Sequence, residues 1–274
     1  MSMRLDSLFK RLTGNYPRFS GSDVQVGVDV RFGRNVRIRS KRVRIGDGCR
    51  IGNDVEIHSS EFELGDYGTI YDRCFFPGPG KLSIGHNAWM GTGTIIDAQG
   101  GTRIGNNFGV GAYSQLWTHM KYGDTLAGCR FHSSRSLTIG DDVWLVGHVL
   151  VSPVTIGDRA LVMLGSMVTR DLAADRTFAG SPAQDVTERF GAQFAPTDPA
   201  QRKLELERRI AAFCERSGAP ASTFRVELGA LPRAQGVTVF AVEPRTYTKL
   251  GTAWERKLMH HLLPDAKFTP APGA

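Results

Sequence analysis

His119 stands in a segment unlike its surroundings: Trp117-Thr118-His119-Met120-Lys121-Tyr122-Gly123-Asp124, continuing irregularly to Thr138. A neutral imidazole accepts a proton near physiological pH, so beside a hydroxyl or amine it serves as a general base. Asp124 is a candidate to orient or polarise that ring, or else a solvated loop carboxylate. His119 itself has a plainer reading, as a loop histidine without chemistry. What decides between these readings is whether a rigid framework holds His119 where a reacting group can meet it.

The flanking chain supplies such a framework. Large apolar residues recur six apart in seven triplets: Val26/Phe32/Ile38, Ile45/Ile51/Ile57, Leu64/Ile70/Phe76, Ile84/Met90/Ile96, Ile104/Val110/Leu116, Ile139/Leu145/Val151 and Ile156/Val162/Val168. A period of six fits neither a helix nor simple strand alternation, so it is a structural repeat. Each hexad is a short strand plus a corner, and three hexads close a triangular coil. Coils stack at the inter-strand spacing of roughly 4.8 Å, and only stacking buries the inward residues. Corners are predicted at Ile45-Gly46-Asp47, Leu64-Gly65-Asp66, Ile104-Gly105-Asn106, Ile139-Gly140-Asp141 and Ile156-Gly157-Asp158, with glycine placed for its permissive backbone. Successive triplets start 19, 19, 20, 20, 35 and 17 residues apart. The step of 35 contains the His119 segment, a protruding insertion over 117–138 whose root is fixed by Leu116.

Charge is unevenly spread over a chain of net charge +7. Residues 31–50 hold Arg31, Arg34, Arg37, Arg39, Lys41, Arg42, Arg44 and Arg50 against one acid, Asp47, and these side chains must point outward as a basic rim. One reading is a solvated face that discourages stacking of an exposed end coil. The other is peripheral contact with an anionic substrate or membrane surface. Nucleic acid is disfavoured, because no interleaved aromatics or recognition helix accompany the arginines.

At 274 residues the chain is of ordinary soluble composition, with no apolar run long enough to span a membrane. Leu5, Leu8, Phe9 and Leu12 lie at helical spacing in a segment too interrupted for a signal peptide, which predicts an N-terminal cap over 1–20; membrane-surface contact is the alternative. Cys49, Cys74, Cys129 and Cys214 are scattered without ligand-like spacing, as expected of reduced thiols in a cytoplasmic protein. The repeat domain is assigned to 21–185 and a small α+β extension to 186–274. In the extension an amphipathic helix is predicted over Pro199–Ser217 with Leu204, Ile210, Ala211 and Phe213 inward, then strands over Thr223–Leu228 and Val237–Val242 and a helix over Gly251–Leu263. The Arg245-Thr246-Tyr247-Thr248-Lys249 run is either a polar turn or a phosphate or sugar contact.

Late in the repeat come Ile139-Gly140-Asp141-Asp142-Val143-Trp144-Leu145, Thr155-Ile156-Gly157-Asp158, Gly165-Ser166-Met167-Val168-Thr169-Arg170-Asp171 and Ala179-Gly180-Ser181-Pro182-Ala183. In order and nearly in register, these resemble the tail of the hexapeptide-repeat acyltransferases, in the branch that acetylates sugars and xenobiotics. The resemblance covers residues 26–184. It implies a mainly β fold: a left-handed parallel β-helix of about seven coils. It further implies a homotrimer and an acyl-CoA-dependent enzyme, acetylating a sugar hydroxyl or amine for surface polysaccharide.

By the same resemblance His119 matches the family's general base. Coenzyme A would lie in a groove between prisms, against Trp144, Gly147, Leu164, Thr169 and Arg170, with Arg170 as the phosphate contact. Tyr113 falls where the family holds an acceptor-binding asparagine, and Trp117 and Tyr122 complete a candidate acceptor site. Trp144 has a second reading as an aromatic cover for its coil.

Departures from the family pattern touch the groove: Val146 and Met163-Leu164 replace small residues, the corner glycine after Pro153 is absent, and Gln184 replaces a basic residue. Bulk there suggests an altered donor pose. It also frames the competing function, a non-catalytic scaffold with a closed groove. The γ-class carbonic anhydrases share the fold and bind zinc through histidines, but His119, His132 and His148 lack that family's close ligand pair, so no metal is expected.

Overall fold

The computed structural model describes residues 17–231 and 236–271. The helix expected over Leu5–Leu12 lies outside the described residues. The chain divides into two compact units between Phe194 and Ala195.

The first unit is a parallel β-helix. Its coils build three parallel sheets, here called faces I, II and III in the order a coil visits them. Face I begins with strands Asp23–Val26 and Arg42–Ile45, face II with Arg31–Phe32 and Arg50–Ile51, and face III with Arg18–Phe19, Arg37–Arg39 and Glu56–His58. The triplets stack as the six-residue period requires: Ile45 pairs with Leu64, Ile51 with Ile70 and Ile38 with Ile57. Register survives the step of 35, since Ile104 pairs with Ile139 and Leu116 with Val151. It also survives the step of 17, where Ile139 pairs with Ile156 and Val151 with Val168. Of the ladder only Val26, on the first coil, is incompletely buried. A second inward row lies two residues before each ladder position, including Val43, Phe62, Leu82 and Leu137 on face I, because strand side chains alternate.

The corner glycines serve a purpose other than the expected one. Gly46 does not have positive φ; a Cβ there would lie 2.5 Å from the Asp66 nitrogen of the next coil, and at Gly140 one would lie 2.1 Å from Asp158 Oδ1. Close approach of the stacked coil is therefore what excludes a side chain. The left-handed residue comes two positions later, as Gly48, Tyr67, Asn87, Asn107, Asp142 and Arg159. The polar residue between them ties coils together. Asp47 Oδ1 accepts from Val28 N, Asp66 Oδ1 from Asp47 N, Asn106 Oδ1 from His86 N, Asp141 Oδ1 from Asn106 N and Asp158 Oδ1 from Asp141 N. His86 is a rung of the same ladder, its Nδ1 accepting from Asp66 N at 2.9 Å.

Residues 18–19 add a rung to face III by pairing with Arg37–Ile38. At the other end the first unit continues past Asp185, because Gln184–Asp185 pairs antiparallel with Phe178–Ala179 and Gly191 O accepts from Thr177 Oγ1.

The second unit is α+β, with strands Phe224–Glu227, Thr238–Ala241, Thr246–Tyr247 and Thr269–Pro270 in one mixed sheet. The helix Pro199–Ser217 ends at Gly218, whose φ is 75°. It buries Leu206, Ile210, Phe213 and Cys214, at helical spacing, while Leu204 is exposed, contrary to expectation. The helix Ala253–Leu262 carries a fully buried Glu255, whose carboxylate accepts from Thr238 Oγ1, Leu250 N and Gly251 N. Within the 245–249 run, Thr246–Tyr247 is a strand and Tyr247 is buried against Phe240.

Candidate active site

Leu116 ends a face III strand, and the chain then turns the corner toward face I through Trp117 and Thr118. The insertion leaves here as a β-hairpin, His119–Lys121 against His132–Ser134, with His119 opposite Ser134. Arg135 N donates to Thr118 O at 2.9 Å and closes its root. His119 is thus fixed by strand pairing on one side and by the stacked coils on the other.

The group that meets the imidazole is Asp97, at the same corner one coil earlier. His119 Nδ1 lies 2.7 Å from Asp97 Oδ2. The same oxygen accepts from Thr118 N at 2.9 Å and from Thr118 Oγ1, while Oδ1 accepts from Gln99 N at 3.1 Å. Thr118 Oγ1 in turn accepts from Gly100 N. Asp97 is fully buried and His119 about one-third exposed. Burial alone would raise the Asp97 pKa, but hydrogen bonds from the Thr118 hydroxyl, His119 and the Thr118 and Gln99 amides outweigh it and hold the carboxyl below its ordinary value. An ionised carboxylate only accepts, so Nδ1 carries a proton, and in the neutral ring Nε2 is the nitrogen with the lone pair. That is the tautomer a general base needs.

Asp124 does not take this part. Its Oδ1 accepts from Leu126 N and Ala127 N, and its carbonyl from Cys129 N, which makes it the cap of the turn at the hairpin tip. A carboxylate so placed orients the loop backbone, not the ring at the root. Asp97 had a sequence signal: it follows the inward Ile96 as Trp117 follows Leu116, which puts it on the corner where His119 emerges.

The other expected residues fall into three groups. Trp117 lies beside the base, its ring 6.1 Å from that of His119 and its Nε1 bonded to Gln115 Oε1. Thr169 and Arg170 occupy the same corner on the last coil, and Arg170 Nη2 donates to Gln184 Oε1. Tyr113, Gly147 and Leu164 stack at the opposite edge of face III. There His148 N donates to Ala112 O, Gly165 N to Gly147 O, and the Tyr113 ring lies 5.4 Å from that of His148. Trp144 projects from face II over Gly109, where a Cβ would lie 3.3 Å from its ring. Tyr122 stands at the hairpin end, fully exposed. Face III thus separates the His119 corner from the Gly147 corner within one chain.

Val146 and Met163, expected to fill the groove, are half-buried on face II, where their amides make regular rungs to Val162 O and Phe178 O. Gly147, with φ 152°, leaves backbone open beneath Leu164: a Cβ would meet Leu164 Cδ1 at 3.4 Å. Among the described residues no three His, Cys, Asp or Glu side chains gather as a metal site.

No family model matches the chain. Over 119 residues it is 33% identical to the putative colanic acid biosynthesis acetyltransferase WcaF of Escherichia coli K12, covering 40% of this chain and 60% of that protein. Over 53 residues it is 42% identical to the galactoside O-acetyltransferase of the same organism, covering 19% of this chain and 26% of that protein. The chain therefore matches less than two thirds of the length of these relatives. Among solved structures, the polysialic acid O-acetyltransferase OatWY aligns with a TM-score of 0.45 and 19% identity over 67% of this chain and 93% of that one. In its ladder of hexads and its tail segment the chain resembles the hexapeptide-repeat acyltransferases, and in sequence it is similar to these acetyltransferases over part of their length.

Proposed function

We propose that the protein is an acyl-CoA-dependent transferase that acetylates a sugar hydroxyl or amine in surface polysaccharide synthesis, with His119 as general base. The observation that carries this reading is the buried Asp97 carboxylate on Nδ1 of His119. A loop histidine without chemistry has no need of an ionised partner, whose burial must be offset by several hydrogen bonds.

In the reaction, His119 Nε2 takes the proton of the acceptor as its oxygen or nitrogen attacks the thioester carbonyl. The resulting imidazolium is stabilised by Asp97. Backbone N–H groups of neighbouring coils are the candidates to hold the tetrahedral oxyanion. The C–S bond then breaks, and the imidazolium returns its proton to the departing thiolate. No covalent enzyme intermediate is required.

The donor would lie against Trp144, Gly147, Leu164, Thr169 and Arg170, the acceptor against Tyr113, Trp117 and Tyr122. Because face III separates the two corners, the working unit is taken to be a homotrimer in which one chain's base meets a donor held partly by the next. The setting is taken to be the cytoplasm: the cysteines are all free, and among the described residues no helix is long and apolar enough to cross a membrane.

The test is thiol release from acetyl-CoA across a panel of hydroxyl and amino sugars, with calorimetric titration of coenzyme A. His119→Ala is expected to lower turnover by about 10²–10⁴-fold with coenzyme A affinity kept. Undetectable coenzyme A binding would sink the enzyme reading, and unaltered turnover in the variant would remove His119 from it.

A further inference from the structure

Faces I and III treat the same arginine-rich stretch in opposite ways. On face I charge alternates from rung to rung: Asp23, Arg42, Glu61, Lys81. Arg42 lies 3.2 Å from Asp23 and 3.8 Å from Glu61, Arg44 lies 2.7 Å from Asp23, and Lys81 lies 3.0 Å from Glu63. A solvated face neutralises itself in this way.

Face III does not. Its register sets Arg18 beside Arg37 and Arg39 beside His58. The like charges of Arg18 and Arg37 on adjacent rungs repel. Among the described residues, none of these three guanidiniums has a carboxylate within ion-pair distance, and Arg37 Nε is buried without a hydrogen-bond partner. Glu56, across from Arg37, instead lies 2.8 Å from His58 Nε2.

Toward His119 the same face turns aromatic. Phe75 occupies the rung after Glu56, exposed and edge-on to His58 at 5.9 Å. Ile95 and Gln115 follow, and Trp117 closes the row beside His119. From Arg37 to Gln115 there are four inter-strand steps, or roughly 19 Å at the usual spacing.

We propose that face III is an acceptor track for an extended acidic saccharide, with Arg18, Arg37 and Arg39 holding carboxylates far from the reacting group while Phe75 and Trp117 stack on the rings between. Guanidinium forks match carboxylates, aromatic faces suit sugar rings, and repulsion left standing without a ligand marks a functional surface. A small neutral acceptor at His119 would reach none of the arginines. The inference rests on the proposed acyl transfer only in calling the ligand an acceptor.

The test is calorimetric titration of the full chain with an acidic oligosaccharide of alternating hexuronate and N-acetylhexosamine, and with a neutral gluco-oligosaccharide of equal length. The acidic ligand is expected to bind more tightly, with affinity falling as salt rises. Arg37→Gln with Arg39→Gln should weaken it about tenfold or more, whereas Arg42→Gln on face I should leave it unchanged. Because the double change relieves repulsion, its melting temperature should be no lower than that of the wild type. Equal binding of both ligands, an unaffected double variant, a lowered melting temperature, or binding confined to phosphatidylserine vesicles would each overturn the proposal. Acidic-saccharide binding without any acyl transfer would uphold the track and remove the proposed enzyme activity.

Discussion

Asp97 Oδ2 and His119 Nδ1 lie 2.7 Å apart across two stacked coils, so the tautomer of the loop histidine is set by a residue of the scaffold. Asp97→Asn replaces a pure acceptor by an amide that also donates, and the ring is free to place its proton on Nε2. Turnover in the acetyl-CoA assay is expected to fall by about 10²-fold or more, with KM for acetyl-CoA little changed. Asp124→Ala removes only a turn cap at the hairpin tip and should stay within about twofold of wild type. Equal losses in the two variants would return Asp124 to the site.

The same carboxylate gives an acid signature. Its folded pKa is depressed, so the stability it contributes is present above the ordinary aspartate value of about 3.9 and is lost as pH falls through the lower folded value. Denaturant titrations of wild type and Asp97→Asn should therefore differ most near neutrality and converge below about pH 4. A stability gap independent of pH would mean that the Asp97 carboxyl has the same pKa folded and unfolded.

The ladder was legible because inward residues carry their own signature: Ile57, Ile70, Leu116 and Leu145 are all essentially inaccessible. The corners were legible in composition but not in cause. Gly46 excludes a side chain because Asp66 of the next coil crowds it, and such contacts between coils are absent from any local window of sequence. The site divides in the same way. His119 could be found because the period breaks around it, whereas Asp97 sits inside an unbroken coil and becomes relevant only through register. Asp124 is a candidate only by proximity along the chain, which a hairpin turns into distance from its own root. The sorting of arginines was illegible for a related reason, since Arg42 and Arg44 find their acids on neighbouring coils, whereas Arg37 and Arg39 find none among the described residues.

The cysteines should report the same burial chemically. Burial in the coil stack pushes the Cys49 thiol up to about 12 and that of Cys74 up to about 11. Both are therefore overwhelmingly protonated at pH 8, and the thiolate is the reactive species. Cys129, in the hairpin and only partly buried, should be alkylated first by iodoacetamide in the native protein. Peptide mapping after brief labelling checks the order. Early labelling of Cys49 would indicate that the first corners open in solution.

Two leucines of the late coils separate scaffold from groove. Leu145 is fully buried between Val110 and Val162 on face II, so Leu145→Ala should cost about 2–5 kcal/mol through lost burial and a residual cavity. Leu164 is 65% exposed and lies over Gly147, so Leu164→Ala should change stability by no more than about 0.5 kcal/mol. Its effect is expected in binding. If coenzyme A passes over Gly147, removing the Leu164 side chain takes away apolar contact with the donor, raising KM for acetyl-CoA while kcat holds. Denaturant melts of both variants, beside saturation curves in acetyl-CoA for Leu164→Ala, distinguish the two roles. A stable Leu164→Ala protein with unchanged KM would place the donor away from this corner.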